Sequence, residues 1–389
     1  MVKMKKLLKN KMIFLLFILI YISVLLFLII NNNCLYMIVF IILSISVVIF
    51  VYKKLFNISF INLDKIKKNR NYEKLKKNIN EDEIYSENMN ISTFDGSNEF
   101  THPSVLYFEK GFNGYKFWMA YTPYSNCNVS LENPCIAVSN DGINYKKPDK
   151  LINPLLSIIK NNNQGYIEYY NDPSLVFVNN KLELWYRLTY ESDDKKTYKQ
   201  KIFRITSTDG INWKKPELII NDIKNSKNLI SISLLYENNE YLLYYFDLNL
   251  KPILIKSSDL EKWSKEQQVI ISDYYGKFWH GEIKKINNIY KFIFIDNGYN
   301  LYISSSNDGI HFNNTEKINI VCKSKDYFYF KNVLYKTSIV YDNKYYYIYV
   351  PFRFDKIKLF KTNDVTYHKW ITTITKIEEK NLNKLKEGL

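Results

Sequence analysis

The sequence predicts an all-β fold, a five-bladed β-propeller preceded by an N-terminal transmembrane helical hairpin. Three observations lead to this prediction. A seven-residue motif recurs five times, each copy follows a similar succession of strand-like runs, and two long apolar runs stand near the N-terminus. The composition agrees, because the 389 residues include 34 Tyr and 24 Phe, and aromatic side chains favour β-strands.

The recurring motif has the form Ser-Asn-Asp-Gly-Ile-Asn-aromatic in its first copy. The five copies lie at 139–145, 207–213, 257–263, 306–312 and 362–368, and their central Asp residues recur every 49 to 68 residues. A period of this size indicates stacked or radially arranged repeats. An Asp side chain can bond the backbone two residues on, and Gly accepts a positive φ, so the motif predicts a hairpin turn rather than a chemical site.

Each repeat also contains a short opening segment, an aromatic strand, the strand before the motif and a fourth strand-like run. Four strands in each of five repeats predict a propeller over residues 97–377. The gaps between strands are mostly too short for the crossover helices of a parallel sheet. Since the first strand of each blade lines the central channel, the opening residues should converge at its mouth; they are His102, Asp172, Ser231, His280 and Lys336.

The N-terminal region predicts attachment to a membrane. Residues 1–11 are basic, 12–52 hold the two apolar runs, 53–96 form a basic linker, and 378–389 form a C-terminal tail. About 20 apolar residues in a helix cross the hydrocarbon core, so 12–52 predict two transmembrane helices and a multi-pass cell-membrane protein. A removed signal peptide is the less favoured alternative. Lysines flank both ends, which places the propeller in the cytoplasm by the positive-inside rule.

The charge distribution argues against a nucleic-acid partner. The net charge is +15, but residues 1–77 hold 14 Lys and Arg against Asp64 and Glu73, which leaves only +3 (15 − 12) for the remainder. A basic footprint is therefore not expected on the large domain. Four His and four Cys without a CxxC pair make a structural zinc site improbable. No cofactor is predicted, although Ca²⁺ in the channel stays open because such a site needs no local motif.

The motif copies, the Asp172-Pro173 pair and the number of blades carry a resemblance. Over roughly residues 97–377 the chain resembles the five-bladed propeller glycosidases, including family 43 glycoside hydrolases and fructan-cleaving enzymes, and its motifs are similar to the Asp boxes of sialidases. The resemblance implies a carbohydrate substrate or ligand. It also leaves the side of the membrane open, because most of these proteins act outside the cell.

In those glycosidases, blades one and two each supply an Asp and blade three a Glu acid, often with a His from blade four. Asp172 and His280 match this pattern, whereas His102 and Ser231 stand in place of the other two groups. Glu282 lies two residues after His280, on the same strand face, and is the predicted second carboxylate for a two-carboxylate mechanism. The two histidines are candidate acid–base groups.

Candidate substrate-binding residues are flat aromatic rings, which suit sugar faces, and polar groups near the channel. They are Trp279, Arg187, Lys336, Ser231, Trp118 and Asp95. For Trp118, in mid-strand, core packing is the favoured alternative. Arg187 and Lys336 together indicate an acidic sugar or a phosphate-bearing polymer.

Two functions follow from the sequence. The first is a membrane-anchored, glycosidase-like propeller that hydrolyses or transfers glycosyl units. The alternative is a non-catalytic propeller that binds a glycan or a protein in cell-envelope polysaccharide metabolism. This alternative rests on the missing Asp of blade one and the missing Glu of blade three.

Overall fold

The computed structural model describes residues 84–159, 166–192, 198–222, 227–322, 329–356 and 367–379. The regular structure in these ranges consists of β-strands, with two 3₁₀ helices at Ser125–Cys127 and Val129–Leu131. The predicted basic N-terminus, the apolar runs at 12–52, most of the linker and residues 380–389 lie outside the described residues.

Within these ranges the strands form five sheets, named blades 1 to 5 in chain order. Blade 1 contains β2 (Phe100–Phe112), β3 (Tyr115–Pro123) and β4 (Cys135–Ser139). Blade 2 contains β5 (Tyr166–Val178), β6 (Lys181–Ser192), β7 (Tyr198–Ser207) and β8 (Glu217–Asp222). Blade 3 contains β9 (Ile230–Glu237), β10 (Glu240–Phe246), β11 (Pro252–Ser257) and β12 (Gln267–Gln268).

Blades 4 and 5 are larger. Blade 4 contains β13 (Ile270–Ile271), β14 (Phe278–Ile286), β15 (Ile289–Asp296), β16 (Leu301–Ser306) and β17 (His311–Ile318). Blade 5 contains β1 (Ile84–Asn88), β18 (Ile320–Cys322), β19 (Tyr329–Leu334), β20 (Ser338–Tyr341), β21 (Tyr345–Lys356) and β22 (Tyr367–Glu378).

The innermost strands of the five blades close a ring. β2 contacts β5, β5 contacts β9, β9 contacts β14, β14 contacts β20, and β20 contacts β2. The buried apolar side chains form clusters between successive sheets, so each blade packs against its neighbours. The predicted five-bladed β-propeller is therefore confirmed.

Blades 1, 4 and 5 depart from the expected four strands, with three, five and six strands in the described ranges. β1 lies within the predicted linker, yet it pairs antiparallel with β22, Glu87 opposite Ile374, and so becomes part of the last blade. Its sequence shows no regular alternation of apolar and polar residues, so only the pairing of its backbone reveals it. Blade 1 has three strands, and Lys146 forms a single bridge to Val138 where a fourth strand was expected.

The predicted membrane localisation needs correction. In the parts of the chain that the structure describes, no helix has both the length and the apolar character needed to cross a bilayer. These residues build sheets instead, and the multi-pass localisation inferred from 12–52 is not carried further.

The recurring motif is a turn, as predicted. In the first copy the Ser139 hydroxyl donates to Asp141 Oδ1 at 2.8 Å, and the same oxygen accepts from the backbone N–H groups of Ile143 and Asn144 at 2.8 Å. The copies centred on Asp209, Asp259 and Asp308 repeat this arrangement. Most of the fifth copy lies outside the described residues.

The second motif copy supports a stability prediction. Gly210 has φ +72°, and a Cβ built on it would lie 2.1 Å from the ring of Trp118. Gly210→Ala therefore adds overpacking of about 1–3 kcal/mol to the backbone strain of a positive φ. Gly114→Ala is the matched control, since Gly114 has φ +84° with no atom within 4 Å of a built Cβ. In denaturant unfolding, equal losses in the two variants would contradict the packing argument.

Candidate functional site

Three of the predicted opening residues have unusual backbone geometry. His102, Asp172 and Ser231 have φ of 54°, 50° and 55°, in the left-handed region that residues other than Gly rarely adopt. The register of each inner strand shifts at the same place, as in a β-bulge. Such bulges re-aim side chains, and strained backbone of this kind clusters at functional sites.

Asp172 is the fully buried centre of a polar cluster. Its Oδ2 accepts from Arg187 at 2.9 Å and from the backbone N–H of Ser231 at 3.0 Å, while Oδ1 lies 3.5 Å from His102 Nε2. Burial alone would raise the pKa of Asp172, but the neighbouring charges, that of Arg187 foremost, outweigh burial and hold the pKa well below its usual range. Asp172 is thus an ionised carboxylate that links blade 2 to blades 1 and 3.

Two neutral imidazoles lie together beside this carboxylate. The ring centroids of His102 and His280 are 6.0 Å apart, and His102 Nδ1 is 2.8 Å from the hydroxyl of Thr122. His280 is 3% exposed, and neither of its ring nitrogens has a hydrogen-bond partner among the described residues. Burial lowers the pKa of His280 to about 3 and the pKa of His102 well below its usual range.

The two predicted cations, Arg187 and Lys336, donate hydrogen bonds to groups within the protein. Arg187 Nε donates to Asn171 at 2.9 Å and a terminal nitrogen of its guanidinium donates to Gln200 at 3.0 Å. Lys336 is fully buried, and its Nζ donates to the carbonyl of Ile232 at 2.8 Å. Because these donors bind protein groups, the acidic-sugar interpretation is no longer favoured.

An aromatic layer covers the histidines. The ring of Tyr335 lies 4.7 Å from His102 and 4.3 Å from His280, and it contacts Trp370 at 5.1 Å between centroids. Trp370 in turn stacks on Tyr124 at 5.6 Å. The opening residues therefore converge, as predicted, but they are buried beneath aromatic rings and do not line an open funnel.

Glu282 lies on the same inner strand as His280, two residues further along the chain. It is 1% exposed, and its carboxylate accepts from the hydroxyls of Ser104 at 3.0 Å and Ser338 at 2.6 Å and lies 3.3 Å from Lys284 Nζ. These contacts join blade 4 to blades 1 and 5. The predicted catalytic pairing of Glu282 with Asp172 thus involves a carboxylate whose two oxygens already have partners.

The hydroxyls around Glu282 belong to a ring that connects neighbouring blades. The residue two positions after the opening residue is Ser in every blade except blade 4, where it is Glu282. The Ser104 hydroxyl accepts from the backbone of blade 2, and Ser174 and Ser338 accept from blades 3 and 1. Ser233 bonds the backbone of blade 4 in both directions. Each side chain of the ring stabilises the contact between two inner strands.

One buried carboxyl group near Asp172 belongs to no sequence motif. Glu132 follows the second 3₁₀ helix, between β3 and β4, and is 3% exposed. Burial, the largest influence, raises its pKa well above the usual range, and the charge of Asp172 adds to this effect. The sequence contained no signal for Glu132, because it lies in a loop outside the repeat.

Three other predicted binding residues differ in their burial and contacts. Trp118 is fully buried in the core between blades 1 and 2, where its Nε1 donates to the Phe112 carbonyl at 3.1 Å, in agreement with the favoured core-packing alternative. Asp95 accepts from Thr93 and orders a turn before blade 1. Trp279 is half-buried, with its ring 5.0 Å from that of His280, and stays a candidate.

Ser231 contributes through its backbone and through a contact between blades. Its hydroxyl donates to the carbonyl of Gly281 at 3.0 Å, while its N–H binds Asp172. For metals, no group of three or more His, Cys, Asp or Glu suited to hold an ion occurs in the described ranges.

Sequence comparison finds one short likeness, and no family model matches the chain. A stretch of 57 residues, 15% of this chain, is 40% identical to the A type blood N-acetyl-α-D-galactosamine deacetylase of Flavonifractor plautii. The stretch corresponds to 7% of that protein, so the chain matches only a small part of its curated relative.

Comparison of structures extends the likeness to the whole fold. The crystal structure of an N-acetylgalactosamine deacetylase from F. plautii, in complex with blood group B trisaccharide, superposes with a TM-score of 0.59 at 15% identity, covering 74% of this chain and 92% of that one. A family 43 β-xylosidase/α-arabinofuranosidase from a compost metagenome gives 0.49 at 14% identity, covering 72% and 91%. The resemblance to glycosidase-like propeller proteins is confirmed as a likeness of fold.

Proposed function

We propose that this chain acts on a glycan at the mouth of its propeller channel, by hydrolysing or transferring glycosyl units. One observation carries the proposal. An ionised carboxylate, Asp172, lies with two neutral imidazoles beneath the aromatic layer, and both ring nitrogens of His280 lack a partner among the described residues. A buried polar group without a partner is costly, and a bound ligand would supply one.

Each residue of the site has a separate role in the proposed reaction. His280 exchanges a proton with the substrate or with water, since a neutral imidazole can accept one. Asp172, whose Oδ1 lies 3.5 Å from His102 Nε2, stabilises positive charge that develops near it. Tyr335 covers both imidazoles, so its side chain must move when a sugar enters, and the rings of Tyr335 and Trp279 then offer apolar faces to the sugar.

A second candidate reaction is removal of an N-acetyl group from a sugar. It is favoured by the two comparisons that concern the F. plautii deacetylase, one of sequence and one of fold. A neutral imidazole also suits attack of water on an amide carbonyl, because it can accept the proton that the water loses.

We expect His280→Gln to lower turnover by at least about 100-fold, the range associated with loss of an acid–base group. The full chain would be incubated with neutral oligosaccharides, some of them N-acetylated. Released reducing ends report glycosidic cleavage, and released acetate reports deacetylation. His311→Gln is the control, because His311 is an exposed histidine at the start of β17 in blade 4. Binding of a glycan without either product would show the non-catalytic alternative, and neither binding nor product would refute the proposal.

A further inference from the structure

The backbone of Glu132 is joined to the strand that carries Asp172. The Glu132 carbonyl accepts from the N–H of Tyr170 at 3.3 Å, two residues before Asp172 on β5. The Glu132 side chain is 3% exposed, and its Oε2 has no hydrogen-bond partner among the described residues. The loop between β3 and β4 thus carries a carboxyl group into the polar cluster and leaves one of its oxygens available.

The electrostatic neighbours of Glu132 belong to the same site. The charges of Asp172 and Arg187 act on its carboxyl group, and the carboxyl group acts on the hydroxyls of Tyr124 and Tyr335, which lie over the histidines. Asp172 is held ionised by Arg187, whereas burial raises the pKa of Glu132 and favours its protonated form. Two carboxyl groups whose surroundings separate their protonation in this way commonly divide acid and anion roles.

We propose that Glu132 is the proton donor of the site. The proposal rests on the proposed function, because it assigns the group that protonates the departing part of the substrate. In glycosidic cleavage, the Glu132 carboxyl proton passes to the glycosidic oxygen as the bond between that oxygen and the anomeric carbon breaks. The oxygen of a water molecule bonds to the anomeric carbon, and His280 accepts the proton that this water loses. Return of that proton to Glu132 through solvent restores the starting state.

A purely structural role does not explain the side chain. The hydrogen bond to Tyr170 uses the backbone carbonyl and would form with any residue at this position. Burying a carboxyl oxygen without a partner costs stability, so packing alone favours an apolar residue here. Donation of a proton to a bound substrate would explain why a carboxyl group lies at this position.

Substrates with different leaving groups test this assignment. A 4-nitrophenyl glycoside releases a stable phenolate and needs little protonation, whereas an oligosaccharide needs a proton on its leaving oxygen. We expect Glu132→Gln to lose at least about 100-fold on the oligosaccharide and less than about 10-fold on the aryl glycoside. Retained aryl turnover would also show that the variant folds. Glu183→Gln is the matched control, a buried glutamate of blade 2 bonded to Arg204 and Tyr241, and should change neither rate.

The pH profile gives a second readout, which also serves if the reaction is deacetylation. A proton donor must be protonated, so wild-type activity should fall as pH rises through the pKa of Glu132, and Glu132→Gln should lack this alkaline limb. Equal losses on both substrates, or an unchanged profile, would overturn the role of Glu132 and leave the proposed function standing. A wild-type chain that turns over no substrate would overturn both.

Discussion

Asp172→Asn is expected to lower the free energy of unfolding by about 3–5 kcal/mol and to abolish detectable turnover. The substitution keeps the shape of the side chain but removes the negative charge beside Arg187, whose guanidinium is 2.9 Å away and 9% exposed. Breaking a buried ion pair by removing one partner costs about this much, because the other charge stays buried without compensation. Denaturant unfolding measures the loss, and the assays for reducing ends and acetate measure turnover.

The pH dependence of this loss has a definite sign. The folded-state pKa of Asp172 lies below its unfolded value of about 3.9, so its contribution is complete above that pH and disappears as pH falls through the folded pKa. The difference between wild type and Asp172→Asn should be constant from about pH 5 to 7 and shrink below about pH 4. Both proteins should lose stability below about pH 6.5, because His102 and His280 are buried in the neutral form.

A surface ion pair provides the control for this experiment. Glu217, 51% exposed at its side chain, pairs with Arg204, and Glu217→Gln should cost no more than about 1 kcal/mol. Adding Arg187→Gln to Asp172→Asn should recover part of the stability, because no unpaired charge then stays buried. A loss of less than about 1 kcal/mol in Asp172→Asn, or no recovery in the double variant, would contradict the picture of a buried pair.

The repeat in the sequence predicted how the site is assembled, because each blade places the same position of its first strand at the channel. This argument brought His102, Asp172 and His280 together although they come from different blades. It could not predict their burial. The alignment of the repeats did not indicate Tyr335, because it stands one residue before the opening residue Lys336. Its side chain packs over the two histidines and is not one of the converging opening residues.

The parts that the sequence did not reveal depend on contacts outside the repeat. Glu132 lies in a loop, and Trp370 lies on β22, where it contacts Tyr335 and Tyr124 from other parts of the chain. The strand β1 has no alternation of apolar residues and gains its place only by pairing with the C-terminal blade. The positive φ of His102 and Asp172 is likewise not marked in the sequence, because neither position is a Gly.

Glu282→Ala is expected to destabilise the propeller by about 3–5 kcal/mol, because Lys284, 7% exposed, would lose the carboxylate that lies 3.3 Å from its Nζ. The hydroxyls of Ser104 and Ser338 would also lose their acceptor. The equivalent positions in the other four blades hold Ser in place of Glu282 and an apolar residue in place of Lys284. The double variant Glu282→Ser/Lys284→Leu therefore restores the common pattern, and it should recover most of the stability that the single substitution removes.

The same double variant decides what Glu282 does. If the carboxylate joins blades 4, 1 and 5, as its contacts indicate, the folded double variant should keep turnover within about tenfold of wild type. If Glu282 is instead the second catalytic carboxylate, turnover should fall by at least about 100-fold while stability recovers. Denaturant unfolding and the product assays, applied to the single and double variants together, separate these outcomes because the first reports the contact between blades and the second reports the chemistry.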